Sequence, residues 1–109
     1  MIMAQTGTLE RLEATIAARR GANPDSSYVA KLHSSGLAKI AQKLGEEATE
    51  TVIAALAEDE KALTGEAADL LFHLLVLLGA KGIALDDVLA ELDRREGISG
   101  ITEKAARQT

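Results

Sequence analysis

The sequence predicts an all-α fold, an antiparallel bundle of about four helices. Of its 109 residues, 47% are apolar and only 2% are aromatic, so the core must consist of Leu, Ile, Val and Ala. Ala and Leu are strong helix formers, and Pro24 is the only proline. Apolar residues recur every three or four positions, as on the buried face of an amphipathic helix. The length predicts one domain over residues 1–109.

The first helix is expected to begin near Thr8 and to end before Gly21. Its apolar residues have helical spacing, and the arginines before the glycine suit a helix C-terminus. Turn formers dominate residues 22–27, and residues 28–33 form either a short helix or an extended piece. Residues 34–36 predict a second break.

Two long helices make up the centre of the chain. The second helix is predicted from residue 36 or 37 to about residue 58, and the third from about residue 60 to residue 80. The polar segment between them is short, and Asp59 is a candidate N-cap of the third helix. So short a connection favours an antiparallel pair.

The fourth helix is expected to begin at Leu85 and to end before Gly97. Acidic residues in its first turn and Arg94 and Arg95 in its last turn both suit the helix dipole. Residues 1–7 and 102–109 have no strong helical pattern, and we expect these two ends to be flexible.

Charge and composition argue against several functional classes. The net charge of −5 repels a nucleic-acid backbone, so we expect no nucleic-acid partner. Absence of cysteine excludes disulfides and thiolate metal sites and fits a cytoplasmic location. The N-terminus has no basic region followed by an apolar run, and the longest apolar run, near residues 74–78, is far shorter than the roughly 20 residues of a membrane span. We therefore expect neither a signal peptide nor a membrane partner.

Acidic residues form two clusters at helical spacing. In the second helix, Glu47 and Glu50 share one flank beside the apolar stripe, whereas Glu46 lies further round. In the third helix, Glu66 falls within the apolar stripe and Asp69 lies close to it. A carboxylate in such a position is costly unless it is paired or bound to a cation.

These clusters predict a metal site between the second and third helices. In an antiparallel pair, Glu47, Glu50, Glu66 and Asp69 converge, and their mutual repulsion calls for a cation. Ligands that are all oxygens favour Mg²⁺, Mn²⁺ or Ca²⁺ over Zn²⁺. Because Mg²⁺ also binds substrate phosphates, the site suits cleavage of a phosphate chain, with a carboxylate orienting or deprotonating the attacking water.

Some of these residues also have a purely structural interpretation. Acidic residues on amphipathic helices are usually solvated, which fits Glu46 best. His73 lies on the same strip as the carboxylates of the third helix, but a histidine on an apolar helix is more often a core residue than a ligand. Lys43 has the i,i+4 spacing to pair with Glu47.

Four segments of the chain carry a family resemblance. They are Ser-Tyr-Val-Ala-Lys-Leu at 27–32, Lys-Leu-Gly-Glu-Glu at 43–47, Glu-Ala-Ala-Asp at 66–69 and Gly-Ile-Ser-Gly-Ile at 97–101. Together they resemble the all-α nucleoside triphosphate pyrophosphatase (MazG-like) superfamily, and within it most closely the phosphoribosyl-ATP pyrophosphatase family. The similarity covers nearly the whole chain from Leu9 onward.

This resemblance implies hydrolysis of phosphoribosyl-ATP to phosphoribosyl-AMP and pyrophosphate, the second step of histidine biosynthesis, by a Mg²⁺-dependent helical homodimer. The implied metal ligands are Glu47, Glu50, Glu66 and Asp69. The implied catalytic residues are Glu46, Glu47 and Glu50, with Glu46 serving a second metal or orienting water. The candidate substrate contacts are Lys31 and Lys43, whose compact ammonium groups suit phosphate, together with Tyr28 and His73.

Two alternatives remain open. The same carboxylates would serve a house-cleaning pyrophosphatase that acts on other nucleoside triphosphates, and a non-enzymatic interaction module would also present an acidic helical face. A di-iron carboxylate bundle fits poorly, because His73 follows Asp69 at i+4 and the Glu-x-x-His spacing is missing. The third helix is apolar on nearly all sides, more than one small bundle can cover, so a homodimer is expected.

Overall fold

A computed structural model describes residues 7–108, apart from the side chains at positions 103 and 108. This part of the chain contains six helices. No strand occurs among these residues, and the all-α prediction is confirmed. The helices are α1 (Thr8–Arg19), α2 (Tyr28–Ser35), α3 (Leu37–Ala57), α4 (Glu60–Ala80), α5 (Leu85–Arg95) and α6 (Gly100–Gln108).

The four longer helices α1, α3, α4 and α5 lie where the sequence pattern predicted them. The ambiguous segment that begins at Tyr28 is the short helix α2, and the helix α6 at residues 100–108 was not predicted. The expectation of a flexible N-terminal end falls on residues 1–7, of which only Gly7 lies within the described part of the chain. Thr109 lies outside it as well.

The most extensive contact in the fold is between α3 and α4, which form a hairpin. The connection is short because Glu58 and Asp59 alone separate the two helices. Asp59 Oδ1 accepts a hydrogen bond from the backbone N–H of Ala62 at 2.8 Å, so the predicted N-cap is confirmed. This hairpin brings the two acidic clusters of the sequence to adjacent helices.

The connection between α2 and α3 depends on one glycine. Gly36 has φ 96° and ψ 165°, a backbone region that residues with a side chain rarely adopt. Its N–H donates to the carbonyl of His33 at 3.3 Å, which closes the end of α2 before α3 begins. The sharp change of direction packs α2 against α3.

The buried core is small for a chain with this apolar content. Its members come from α1 to α5: Ile16, Val29, Leu32, Ile40, Leu75, Val76 and Leu85. Several large apolar side chains lie on the surface instead, among them Val52, Ile53, Leu56, Leu71 and Leu92. The radius of gyration is 16.0 Å, whereas a compact domain of 100 residues has about 13 Å. The single chain therefore leaves much apolar surface uncovered.

Helix α4 is long and apolar enough, by length and composition alone, to cross a membrane, which its short apolar runs did not indicate. Core helices of soluble proteins meet the same criterion. Because α4 carries Glu66, Asp69 and His73 along its length and packs against α1 and α3, we interpret it as a helix of the bundle with a polar strip.

Candidate active site

Three carboxylates converge where α3 and α4 pack together. One oxygen from each of Glu47, Glu66 and Asp69 lies within 4.8 Å of the other two. Glu47 is buried, with 7% of its surface exposed, whereas Glu66 is half-buried and Asp69 is exposed. The arrangement therefore has a protected side, at Glu47, and an open side, at Asp69.

Glu66 has the most unusual environment of the three. Its Oε1 is buried and has no hydrogen-bond partner. Burial raises the pKa of Glu66, and the neighbouring carboxylates of Glu50, Glu47 and Asp69 raise it further. A buried, unpaired carboxylate oxygen among other carboxylates is the environment that a divalent cation with oxygen ligands stabilises. The residues present thus fit a metal site.

Glu50 and Glu46 lie outside the group of three. Glu50 is exposed and close enough to Glu66 to affect its pKa. Glu46 instead interacts along its own helix, where it accepts hydrogen bonds from Gln42 at 2.8 Å and from Lys43 Nζ at 3.1 Å. These two bonds lower the pKa of Glu46. It is accordingly the most strongly paired carboxylate near the site.

The i,i+4 pairing of Lys43 with Glu47, which the spacing allows, is not the one that forms. Lys43 forms its ion pair with Glu46, at i,i+3 instead of i,i+4. The reason is burial: Glu47 points toward α4 and is 7% exposed, whereas Glu46 is accessible to the lysine on the helix surface. Glu47 is consequently available to interact with Glu66 and Asp69.

Thr51 joins the two helices at the site, and no pattern in the sequence indicates this role. Its Oγ1 lies 2.8 Å from the carbonyl oxygen of Glu47, one turn earlier in α3, and 3.3 Å from the carbonyl oxygen of Glu66 in α4. The single hydroxyl proton is shared between the two acceptors. Thr51 therefore connects the backbones of two residues whose carboxylates converge.

His73 is buried, and both of its ring nitrogens are engaged within the protein. Nδ1 lies 2.7 Å from the carbonyl oxygen of Asp69, which only accepts, so Nδ1 carries the proton. Nε2 then accepts a hydrogen bond from the Tyr28 hydroxyl at 2.9 Å. Burial raises the pKa of Tyr28, which keeps this hydroxyl a donor. Phe72 packs against both rings.

Two cavities border this group of aromatic rings. The lysine pocket, a cavity of about 200 Å³ between α2 and α3, is lined by Tyr28, Lys31, Leu32, Ser35, Lys39 and Lys43. A wider cavity of about 520 Å³ lies at the N-terminus of α2 and is lined by Pro24, Asp25, Ser26, Ser27, Tyr28 and Lys31. The predicted substrate contacts Tyr28, Lys31 and Lys43 thus come together, and Lys39, which lies in none of the sequence motifs, joins them.

Comparison with known proteins gives a consistent result. Residues 9–96 match the family model for phosphoribosyl-ATP pyrophosphohydrolase. The chain is 71% identical over 100 residues to a phosphoribosyl-ATP pyrophosphatase of Erythrobacter litoralis, covering 92% of this chain and 96% of the relative. It is 70% identical over 102 residues to the protein of the same name in Rhizorhabdus wittichii, covering 94% and 96%. A third such protein, from Dinoroseobacter shibae, is 64% identical over 99 residues, covering 91% and 97%.

Proposed function

The chain belongs to the phosphoribosyl-ATP pyrophosphohydrolase family, which acts in histidine biosynthesis, and we propose that it hydrolyses phosphoribosyl-ATP to phosphoribosyl-AMP and pyrophosphate. The observation that supports this most directly is the convergence of Glu47, Glu66 and Asp69 beside a buried oxygen of Glu66 that has no partner. Hydrolysis of a phosphate chain commonly uses such an oxygen-rich site.

Glu47, Glu66 and Asp69 would hold Mg²⁺, or Mn²⁺ in its place, with Glu50 as a fourth ligand from the edge of the group. The set consists of oxygen donors only, which these cations prefer. When bound, the metal supplies charge stabilisation to the phosphoryl oxygens. The Thr51 hydroxyl, which bonds to a backbone carbonyl in each helix, links the two helices that carry these carboxylates.

In the reaction, the oxygen of a water molecule forms a bond to one of the two phosphorus atoms beside the α,β-bridging oxygen. The bond between that phosphorus and the bridging oxygen breaks, and its electron pair stays on the bridging oxygen. Glu50, which is exposed and lies outside the group of three, would accept a proton from the water through the carboxylate oxygen that does not bind the metal. Glu46, which Lys43 and Gln42 hold on the helix surface, would orient that water.

The lysine pocket would provide the positive charge that a triphosphate requires. Lys31 and Lys43 would contact phosphate oxygens, since an ammonium group acts as a compact point charge. Tyr28 would contact the substrate with the exposed part of its ring, 46% of the residue being accessible. His73 would act through its bond to Tyr28.

We further propose a soluble, cytoplasmic homodimer. Val52, Ile53 and Leu56 on α3 and Leu71 on α4 are exposed apolar side chains that a second copy would bury. Only 17% of the apolar stretch of α4 is buried within one chain. Sedimentation equilibrium should give twice the monomer mass at micromolar concentration, and a monomer there would contradict this proposal.

The activity test compares phosphoribosyl-ATP with a panel of free nucleoside triphosphates, each with Mg²⁺ and with Mn²⁺. We expect phosphoribosyl-ATP to be preferred and the products to be phosphoribosyl-AMP and pyrophosphate. Preference for the panel would favour a house-cleaning pyrophosphatase instead.

Variants of the carboxylates test the enzymatic assignment itself. Glu47→Gln and Asp69→Asn should each nearly abolish turnover while circular dichroism shows the helices intact. Glu58→Gln is the matched control, because it removes one charge at the end of α3, about 16 Å along the helix from Glu47. A non-enzymatic acidic module predicts the same low activity in all three variants and in the unmodified chain.

A further inference from the structure

We propose that the lysine pocket binds the β,γ-diphosphate of the substrate, the part released as pyrophosphate, and that Lys39 is a substrate-binding residue. The proposal rests on the proposed function, since it assigns one part of that substrate to one part of the site. It separates the site into a carboxylate side, where the bond breaks, and a cationic side, where the departing diphosphate is held.

Charge is the first argument. The chain has a net charge of −5, yet three lysines and no acidic residue line this cavity. Among the described residues, Lys31 and Lys39 take part in no ion pair, and Lys43 alone is partnered, by Glu46. Three ammonium groups around one cavity repel one another, so the cavity favours a ligand with several negative charges.

Position is the second argument. Lys43 Nζ lies 3.1 Å from Glu46, the residue that precedes Glu47 of the carboxylate group. On its other wall, Tyr28 bonds to His73, whose Nδ1 bonds to the carbonyl of Asp69. The pocket is therefore connected to the carboxylate group on both α3 and α4. A phosphate chain held at the carboxylates would extend toward Lys43 and Tyr28, the two lining residues that these bonds link to the carboxylate group.

Size and lining are the third argument. The cavity holds about 200 Å³, several times the roughly 30 Å³ that one water occupies in the liquid. The buried side chain of Leu32 forms part of its wall, and charge interactions are stronger beside an apolar wall than in open water. The wider cavity of about 520 Å³, which shares Tyr28 and Lys31 with the lysine pocket, would take the nucleoside part instead.

Binding of the two reaction products reports separately on the two parts of the site. Pyrophosphate carries the phosphates assigned to the lysine pocket, and phosphoribosyl-AMP carries all the others. Calorimetric titration with each product, in the presence of Mg²⁺, measures binding without requiring turnover. The proteins compared are the unmodified chain, Lys39→Gln, Lys39→Arg and the control Lys61→Gln, an exposed lysine in the first turn of α4, outside the pocket.

We expect Lys39→Gln to weaken pyrophosphate binding about tenfold, as loss of one charge-assisted contact should, and to leave phosphoribosyl-AMP binding unchanged. Lys39→Arg should retain most of the affinity, and Lys61→Gln all of it. Weakened binding of phosphoribosyl-AMP alone, or no change for either product, would overturn the assignment. Failure of the unmodified chain to hydrolyse phosphoribosyl-ATP would refute the proposed function separately, because the pyrophosphate titration does not depend on turnover.

Discussion

The hydroxyl of Tyr28 donates a hydrogen bond to Nε2 of His73 across 2.9 Å, and this bond joins the exposed surface of the site to its buried interior. The opposite nitrogen of His73 donates to the carbonyl of Asp69, so one chain of bonds runs from α2 into the backbone of a carboxylate-bearing residue. His73 is thus buried in the core, as one interpretation of the sequence expected, and its two ring nitrogens also connect Tyr28 to the backbone of Asp69.

Replacing Tyr28 with Phe should destabilise the fold by about 1–3 kcal/mol, because it leaves the buried Nε2 of His73 without a partner. Urea unfolding measures the change. A double-mutant cycle with His73→Phe should show that the two substitutions are not additive. Additive effects would mean that the bond contributes nothing to stability.

The hydroxyl of Thr51 should matter more than that of Thr49. Thr51→Val removes the bond to α4 as well as the bond within α3, whereas Thr49 Oγ1 donates only to Gly45 within α3, at 3.1 Å. We expect Thr51→Val to cost about 0.5–1.5 kcal/mol of unfolding free energy and to weaken Mg²⁺ binding. Thr49→Val serves as the matched control and should leave metal affinity unchanged. Equal effects of the two variants on metal affinity would argue against a bridging role.

The backbone at Gly36 predicts a further pair of variants. Gly36→Ala should cost about 1–3 kcal/mol, because its φ of 96° and ψ of 165° suit only glycine. Gly65→Ala should stabilise the protein by roughly 0.5–1 kcal/mol, since Gly65 lies inside α4 and an added Cβ meets nothing within 4 Å. Thermal unfolding of both variants tests this contrast. A tolerated Gly36→Ala would show that the turn between α2 and α3 adapts.

Without metal, Glu66 should make stability depend on pH. Its pKa is higher in the folded state, mainly through burial and then through Glu50, Glu47 and Asp69. The folded state therefore binds the proton more tightly than the unfolded chain does, and this stabilisation is present at low pH and is lost as the pH rises through the folded-state pKa. Glu66→Gln should consequently be more stable than the unmodified chain at neutral pH in the presence of a chelator.

The advantage of Glu66→Gln should disappear when Mg²⁺ is added, since only the unmodified site gains from metal binding. Thermal unfolding from pH 4 to pH 8, with and without Mg²⁺, measures both effects. If Glu66→Gln were the less stable protein in chelator at neutral pH, the carboxylate group would be stabilised by something other than a cation.

The sequence predicted those parts of the fold in which the periodicity of apolar residues determines which helix face is buried. The α3–α4 hairpin followed from two apolar stripes and the Asp59 cap, and the placement of Glu66 within a stripe indicated the carboxylate group. A helical wheel gives the direction of a side chain but not its partner, so it did not distinguish Glu46 from Glu47 as the partner of Lys43. The Thr51 bond depends on how closely α3 approaches α4. The proposed role of Lys39 depends on the packing of α2 against α3 at Gly36, a contact between segments that local patterns do not define.

The hairpin has a consequence for how the site forms. Glu47, Glu66 and Asp69 belong to two helices that are adjacent in the chain, so closing one short turn is enough to bring them together. Contacts between segments that are near in sequence form quickly, because little loop entropy is lost. We therefore expect the carboxylate group to assemble early in folding, before α1 and α5 dock, and mutations at the Asp59 turn to slow folding more than they accelerate unfolding.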